Sequence, residues 1–137
     1  MISAIEIYNK PDFKYREETF AILAINSWEL LLKAKWLKDN NNTIRSLYVL
    51  ERVTKKDGNL SKKFTVKTTG CNNPFTHSLE YLAKKLEEKK VFDPLAKQNV
   101  DALREIRDSS VHFYNKNTLF AITHQEVGSA CVKNYVQ

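Results

Sequence analysis

A chain of 137 residues with 42% hydrophobic and 28% charged side chains can bury one core and is short for two domains. No apolar run reaches the roughly eighteen residues of a membrane span, and MISAIEIYNKPDFKYREE lacks the basic start and long apolar stretch of a secretory leader. A cytoplasmic single domain over 1–137 is therefore expected, either whole or as the N-terminal part of a longer protein.

In chain order, residues 1–15 read as a short helix or arm that meets Pro11. EETFAILAINSWELLLKAKWLKDN predicts a long helix over 17–39, with acids in its first turn and lysines in its last, as the helix dipole favours. Phe20, Ile22, Leu23, Ile25, Trp28, Leu30, Leu31, Leu32, Trp36 and Leu37 cover most of its circumference. Such a helix is buried on several sides, or on one side plus a partner chain. Asn26, Glu29 and Lys33 form its one polar strip, at spacings of three and four, read as the solvent face. Asn40 to Thr43 end it. SLYVLERV and KKFTVKTT alternate and flank Asp57-Gly58, which predicts a β-hairpin over 46–69. Residues 70–74 form a loop. A second helix is predicted over 75–90, with Thr76 as N-cap and Leu79, Leu82, Ala83 and Leu86 as its stripe. Asp93-Pro94 suits an N-cap followed by a first-position proline. It opens a third helix over 94–113 with Leu95, Val100, Leu103, Ile106 and Ser110 inward. A last helix over 118–135 carries Gly128, which weakens it or allows close packing. The expected architecture is all-α: a bundle of about four helices, with a small β-hairpin insert between the first and second long helices.

Net charge is +6. From Arg52 to Lys67 the cations Arg52, Lys55, Lys56, Lys62, Lys63 and Lys67 face Asp57 alone, so this segment holds five of the six net charges. Charge alone leaves two readings open. One is contact with a phosphate-bearing partner, through Lys55, Lys56, Lys62 and Lys63. The other is a solvated ribbon whose lysines block edge pairing.

Other chemistries find no support in the spacing. His77, His112 and His124 make no H-E-x-x-H, and Cys71 and Cys131 make no C-x-x-C, so neither metal nor disulfide is expected. Three scattered glycines build no phosphate-cradling loop, and no cofactor is expected. His77 and His124 read as surface or capping residues.

LREIRDSSVHFYNK is the informative stretch. On a helix Arg104 and Asp108 are four apart, as are Asp108 and His112, so each pair shares a surface. Asp108 can hold His112 in one tautomer and raise its basicity. Arg107 lies about 140° round a regular helix from His112, a gap that its long side chain narrows. An imidazole that removes a ribose 2′-hydroxyl proton and a guanidinium that stabilises the charged phosphorane suffice to cut RNA without metal. A salt-bridged helix surface ending in a capping histidine fits the same letters.

RDSSVH, Arg107 to His112, resembles the R-x-x-x-x-H motif of HEPN domains, the higher eukaryote and prokaryote nucleotide-binding domains. AINSWELLLKAKWLK is similar to their first helix. The segments AIEIYNKPDFKYREETFAILAINSWELLLKAKWL, NPFTHSLEYLAKKL and LREIRDSSVHFYNK resemble, more narrowly, a bacterial HEPN-related family known as domain of unknown function 3644. The resemblance implies a homodimeric, metal-independent endoribonuclease that leaves a 2′,3′-cyclic phosphate, in a toxin–antitoxin or anti-phage system with an antitoxin or defence partner. It matches Arg107 and His112 to the catalytic pair, Asp108 to the polar position after the arginine, and Glu29 to the acid of the first helix; Arg104, four residues before Asp108, is a supporting candidate by spacing alone. Some HEPN domains have lost catalysis, so the alternative is a module that binds RNA, a nucleotide or a protein.

Overall fold

The computed structural model describes residues 1–54, 58–111 and 119–136, with backbone alone for 110, 111 and 119–124. Five helices are present among them: α1 (Ile2–Tyr8), α2 (Arg16–Asp39), α3 (Leu79–Glu88), α4 (Pro94–Val111) and α5 (Leu119–Tyr135). A 3-10 turn, Ile44–Leu47, leads into β1 (Leu50–Thr54) and β2 (Leu60–Val66).

α2 is the axis of the molecule. It packs against α1, the 3-10 turn, α3, α4 and α5. Phe20, Ala21, Ala24, Ile25, Trp28, Leu32 and Trp36 are its buried apolar side chains, and Leu82, Leu86, Val100, Leu103 and Cys131 close the core from the other helices. Each large apolar side chain taken fully out of water contributes about 1.5–3 kcal/mol. The polar strip is only partly a solvent face: Asn26 is exposed, whereas Glu29 and Lys33 are half-buried. Exposed Ile22 and Leu30 flank Asn26 one turn away on each side. Asparagines stop the helix because they tolerate left-handed backbone: Asn41 and Asn42 sit at φ 53° and 54°, and Asn42 N–H donates to the Leu37 carbonyl at 2.8 Å.

The all-α, four-helix expectation is corrected here. The described chain has five helices and a two-stranded antiparallel sheet, a mixed α/β content dominated by helix. Two features make the difference. Residues 2–8 take the helical one of the two alternatives left open for them, with Ala4 fully buried in the core cluster that α2 centres and Met1 and Tyr8 packed against it. The β structure is also stitched to the helices by backbone. Val49 N–H donates to the Phe75 carbonyl (2.9 Å), Phe75 N–H to Lys67 (2.8 Å) and His77 N–H to Leu47 (2.8 Å). Extended residues before α3 thus pair with both arms of the hairpin, at Tyr48–Thr76 and Thr68–Pro74. That pairing also moves the helix start. Thr76 is extended and Ser78 is the N-cap, its hydroxyl accepting from Tyr81 N–H at 3.3 Å. α4 begins as its residues dictate, with the Asp93 carboxylate accepting from Ala96 N–H at 2.9 Å. Leu95 departs from the inner stripe: it is 67% exposed, and Ala96 takes the buried place.

Gly128 marks the close approach of α5 to α2. A β-carbon there would stand 2.9 Å from Cε1 of buried Phe20, whose ring packs on Tyr8 at 5.3 Å. In Gly128→Ala the gain in helix propensity, about 1 kcal/mol, offsets part of the clash. Gly128→Val adds further bulk and is expected to lose about 1–3 kcal/mol by overpacking. Urea titration checks this; an unshifted midpoint for the valine variant means that the contact is loose.

Candidate active site

Helix α4 is anchored by Val100, Leu103 and Ile106, which are buried. Their placement turns Arg104, Arg107 and Asp108, at positions i, i+3 and i+4, to a common side of the helix. There they line a groove of about 430 Å3 with Ile25 and Glu29 of α2, Thr76 of the bridging segment, and Ser78, Leu79 and Glu80 at the start of α3. Glu29, expected as a supporting acid, is brought to Arg107 across 78 residues of sequence. His112 lies outside the described residues.

The charges of the groove are paired. Arg104 Nη1 donates to Glu80 Oε2 at 2.8 Å, and Lys33 Nζ donates to Glu29 Oε1 at 2.6 Å. Arg107 Nε lies 2.7 Å from Asp108 Oδ1. Nε has no aligned hydrogen-bond partner among the described residues, so this is proximity of charge and not a directed bond. A guanidinium can in general donate two parallel bonds to a carboxylate or a phosphate. The first turn of α3 borders the same groove, and a helix N-terminus favours an anion. Glu29, Glu80 and Asp108 work against accumulation of positive charge, so any anion must come to a few directed donors and not to a diffuse field.

As groove residues, Glu80, Ser78 and Thr76 were not foreseen from the sequence, Thr76 being expected only as an N-cap. Ser78 had a signal, a serine immediately before a helical apolar pattern. Glu80 had none, because its partner Arg104 is 24 residues distant. Of the hairpin lysines, Lys62 and Lys63 are exposed on β2, whereas Lys55 and Lys56 lie outside the described residues. His77 stacks on Tyr81 with ring centroids 4.1 Å apart and meets Trp36 edge-on, and burial lowers its pKa. It is a packing residue at the foot of the hairpin. The side chain of His124 is not among those described.

The cysteines differ in environment. Cys71 is exposed. Cys131 is buried, its thiol directed at the Asn99 carbonyl at 3.1 Å, and burial pushes its pKa up to about 12. Since thiolate is the reactive form, a disulfide reagent is expected to titrate Cys71 alone in the native state and Cys131 only after unfolding. Fast reaction of both thiols in the native protein would contradict this packing.

No described helix is long and apolar enough to cross a membrane. No curated protein and no solved structure matches the chain. The family model described as Domain of unknown function (DUF3644) matches residues 1–137. The match runs over the whole sequence, groove and hairpin included, and the chain therefore belongs to the DUF3644 family.

Proposed function

We propose that this chain is a HEPN-type, metal-independent endoribonuclease that works in the bacterial cytoplasm in a defence or toxin system. The observation that carries the reading is the convergence of Arg104, Arg107, Asp108 and Glu29 in one groove, from two helices distant in sequence. In this mechanism His112 takes the proton of a ribose 2′-hydroxyl. The 2′-oxygen attacks the adjacent phosphorus, Arg107 stabilises the added negative charge, and the 5′-oxygen departs with a proton taken from solvent, to which His112 returns the one it removed. The products are a 2′,3′-cyclic phosphate and a 5′-hydroxyl end. Asp108 holds the Arg107 guanidinium until phosphate replaces it. Lys62 and Lys63, with Lys55 and Lys56, hold the RNA backbone at the hairpin.

RNA incubated with the protein in EDTA is expected to be cut. Arg107→Ala and His112→Ala should each lose about 10²–10⁴-fold in rate at unchanged helicity. Cleavage by both variants at the wild-type rate would overturn the assignment. The charge balance of the groove favours one second reading, a binding module without catalysis. RNA binding with no cleavage by the wild type would establish that reading.

An Arg–His pair from one chain makes half of a symmetric cleft, so the active form is a two-fold dimer with the end of α4 at the interface. The exposed Ile22 and Leu30 on α2 support self-association. Light scattering is expected to give twice the mass of the chain at micromolar concentration; a monomer at high micromolar concentration would remove the paired cleft.

A further inference from the structure

Strands β1 and β2 pack on each other and on no helix among the described residues. Every β1 residue is exposed, and Leu50, Leu60 and Phe64 are 58%, 62% and 59% exposed. A two-stranded ribbon gains little stability by showing apolar side chains to water on a face that buries nothing. The register states what that face carries. Leu50 pairs with Val66 and Arg52 with Phe64, so these four residues share a side; beyond Arg52 the register shifts, and Thr54 pairs with Leu60. The Arg52 guanidinium carbon lies 5.6 Å from the centre of the Phe64 ring. Lys62, also exposed, is two residues from Phe64 along β2, in the stretch where the register shifts. The acid of β1, Glu51, pairs with Thr65 and so belongs to the opposite side. One face therefore combines an open aromatic ring, a guanidinium and flanking aliphatic groups, with an exposed ammonium close by in sequence and no carboxylate among the paired residues of that side.

Positive charge alone would suit any polyanion. The exposed ring narrows the class. Bases in a duplex are stacked on one another and offer no face, whereas an unpaired base can lie on phenyl. Arginine beside the ring meets either a phosphate or a base plane, and Lys62 meets the next phosphate. We infer that the Phe64 face of the hairpin is a stacking platform for single-stranded nucleic acid, with Arg52 and Lys62 as its phosphate contacts. The inference rests on the RNA reading above for its choice of polyanion, and it adds the strandedness of the ligand and the residue that senses it.

The test uses fluorescence anisotropy with two labelled probes, a 20-nucleotide oligouridylate and a 20-nucleotide oligothymidylate. The second lacks 2′-hydroxyls and cannot be cut by the proposed mechanism. Both are expected to bind the wild type. Phe64→Ala should weaken both by about 5- to 100-fold, the size of one base–aromatic stack, with the salt slope unchanged. Phe64→Trp should keep wild-type binding. Lys62→Gln should flatten the salt slope, because fewer counterions are released. Phe64 is exposed, and matching circular dichroism of the variants confirms that the fold is kept. The platform is refuted if Phe64→Ala binds oligothymidylate like the wild type, if a 20-base-pair duplex competes as well as the single strand, or if phosphatidylserine vesicles capture the protein while neither oligonucleotide does. RNA cleavage together with wild-type binding by Phe64→Ala removes the platform and leaves the nuclease. Phe64-dependent binding of oligothymidylate without RNA cleavage removes the nuclease and leaves the platform.

Discussion

The 24 residues of α2 carry apolar side chains round most of the helix, and removing that surface from water requires cover on several sides at once. Helices α1, α3, α4 and α5 and the 3-10 turn provide it. Trp28 shows how closely they meet: its ring lies 5.3 Å from Tyr135 and 5.7 Å from Phe92. Trp36 does the same work near the other end, where its indole N–H donates to the Ser46 carbonyl at 2.9 Å and Lys89 lies over the ring at 4.6 Å. That bond holds the 3-10 turn against α2 and so sets where the hairpin leaves the body.

The same burial positions the candidate site. Once Val100, Leu103 and Ile106 face the core, Arg104, Arg107 and Asp108 have only one direction in which to emerge. Ile25 and Glu29 reach that direction because they neighbour buried positions of α2. The groove therefore derives its geometry from apolar packing, and its ion pairs add orientation more than stability. Exposed pairs of this kind are worth about 0–1 kcal/mol. Their value lies in keeping long side chains from wandering, which matters where a guanidinium must meet a phosphate with bidentate geometry.

Charge is distributed unevenly between the two parts. The groove offsets its arginines with Glu29, Glu80 and Asp108, whereas the hairpin segment holds five of the six net positive charges of the chain. Under the proposed function this separates attraction from chemistry. A basic ribbon raises the local density of a polyanion and speeds encounter, and the balanced groove admits it at a few fixed donors. The backbone bonds from residues 47–49 and 67 to residues 75 and 77 connect these parts, since the segment that completes the hairpin also opens α3 and lines the groove.

Local sequence determined the elements with strong local chemistry. The end of α2 follows from Asn41 and Asn42, which accept left-handed backbone, and the start of α4 from Asp93 and Pro94. The strands follow from alternation, and the α3 stripe from Leu79, Leu82, Ala83 and Leu86. The candidate residues Arg104, Arg107, Asp108 and Glu29 were also legible, the first three by helical spacing and Glu29 by family resemblance. What depends on distant partners was not. The choice between helix and arm for residues 2–8 goes with the packing of α1 on α2, the register of α3 with strand pairing at Thr76, and the exposure of Leu95 with the burial of Ala96 beside it. Glu80 joins the groove only because α3 and α4 lie side by side. Spacing along a chain reports neighbours within a turn or a strand, and contacts between elements arise only when the core chooses which faces to bury.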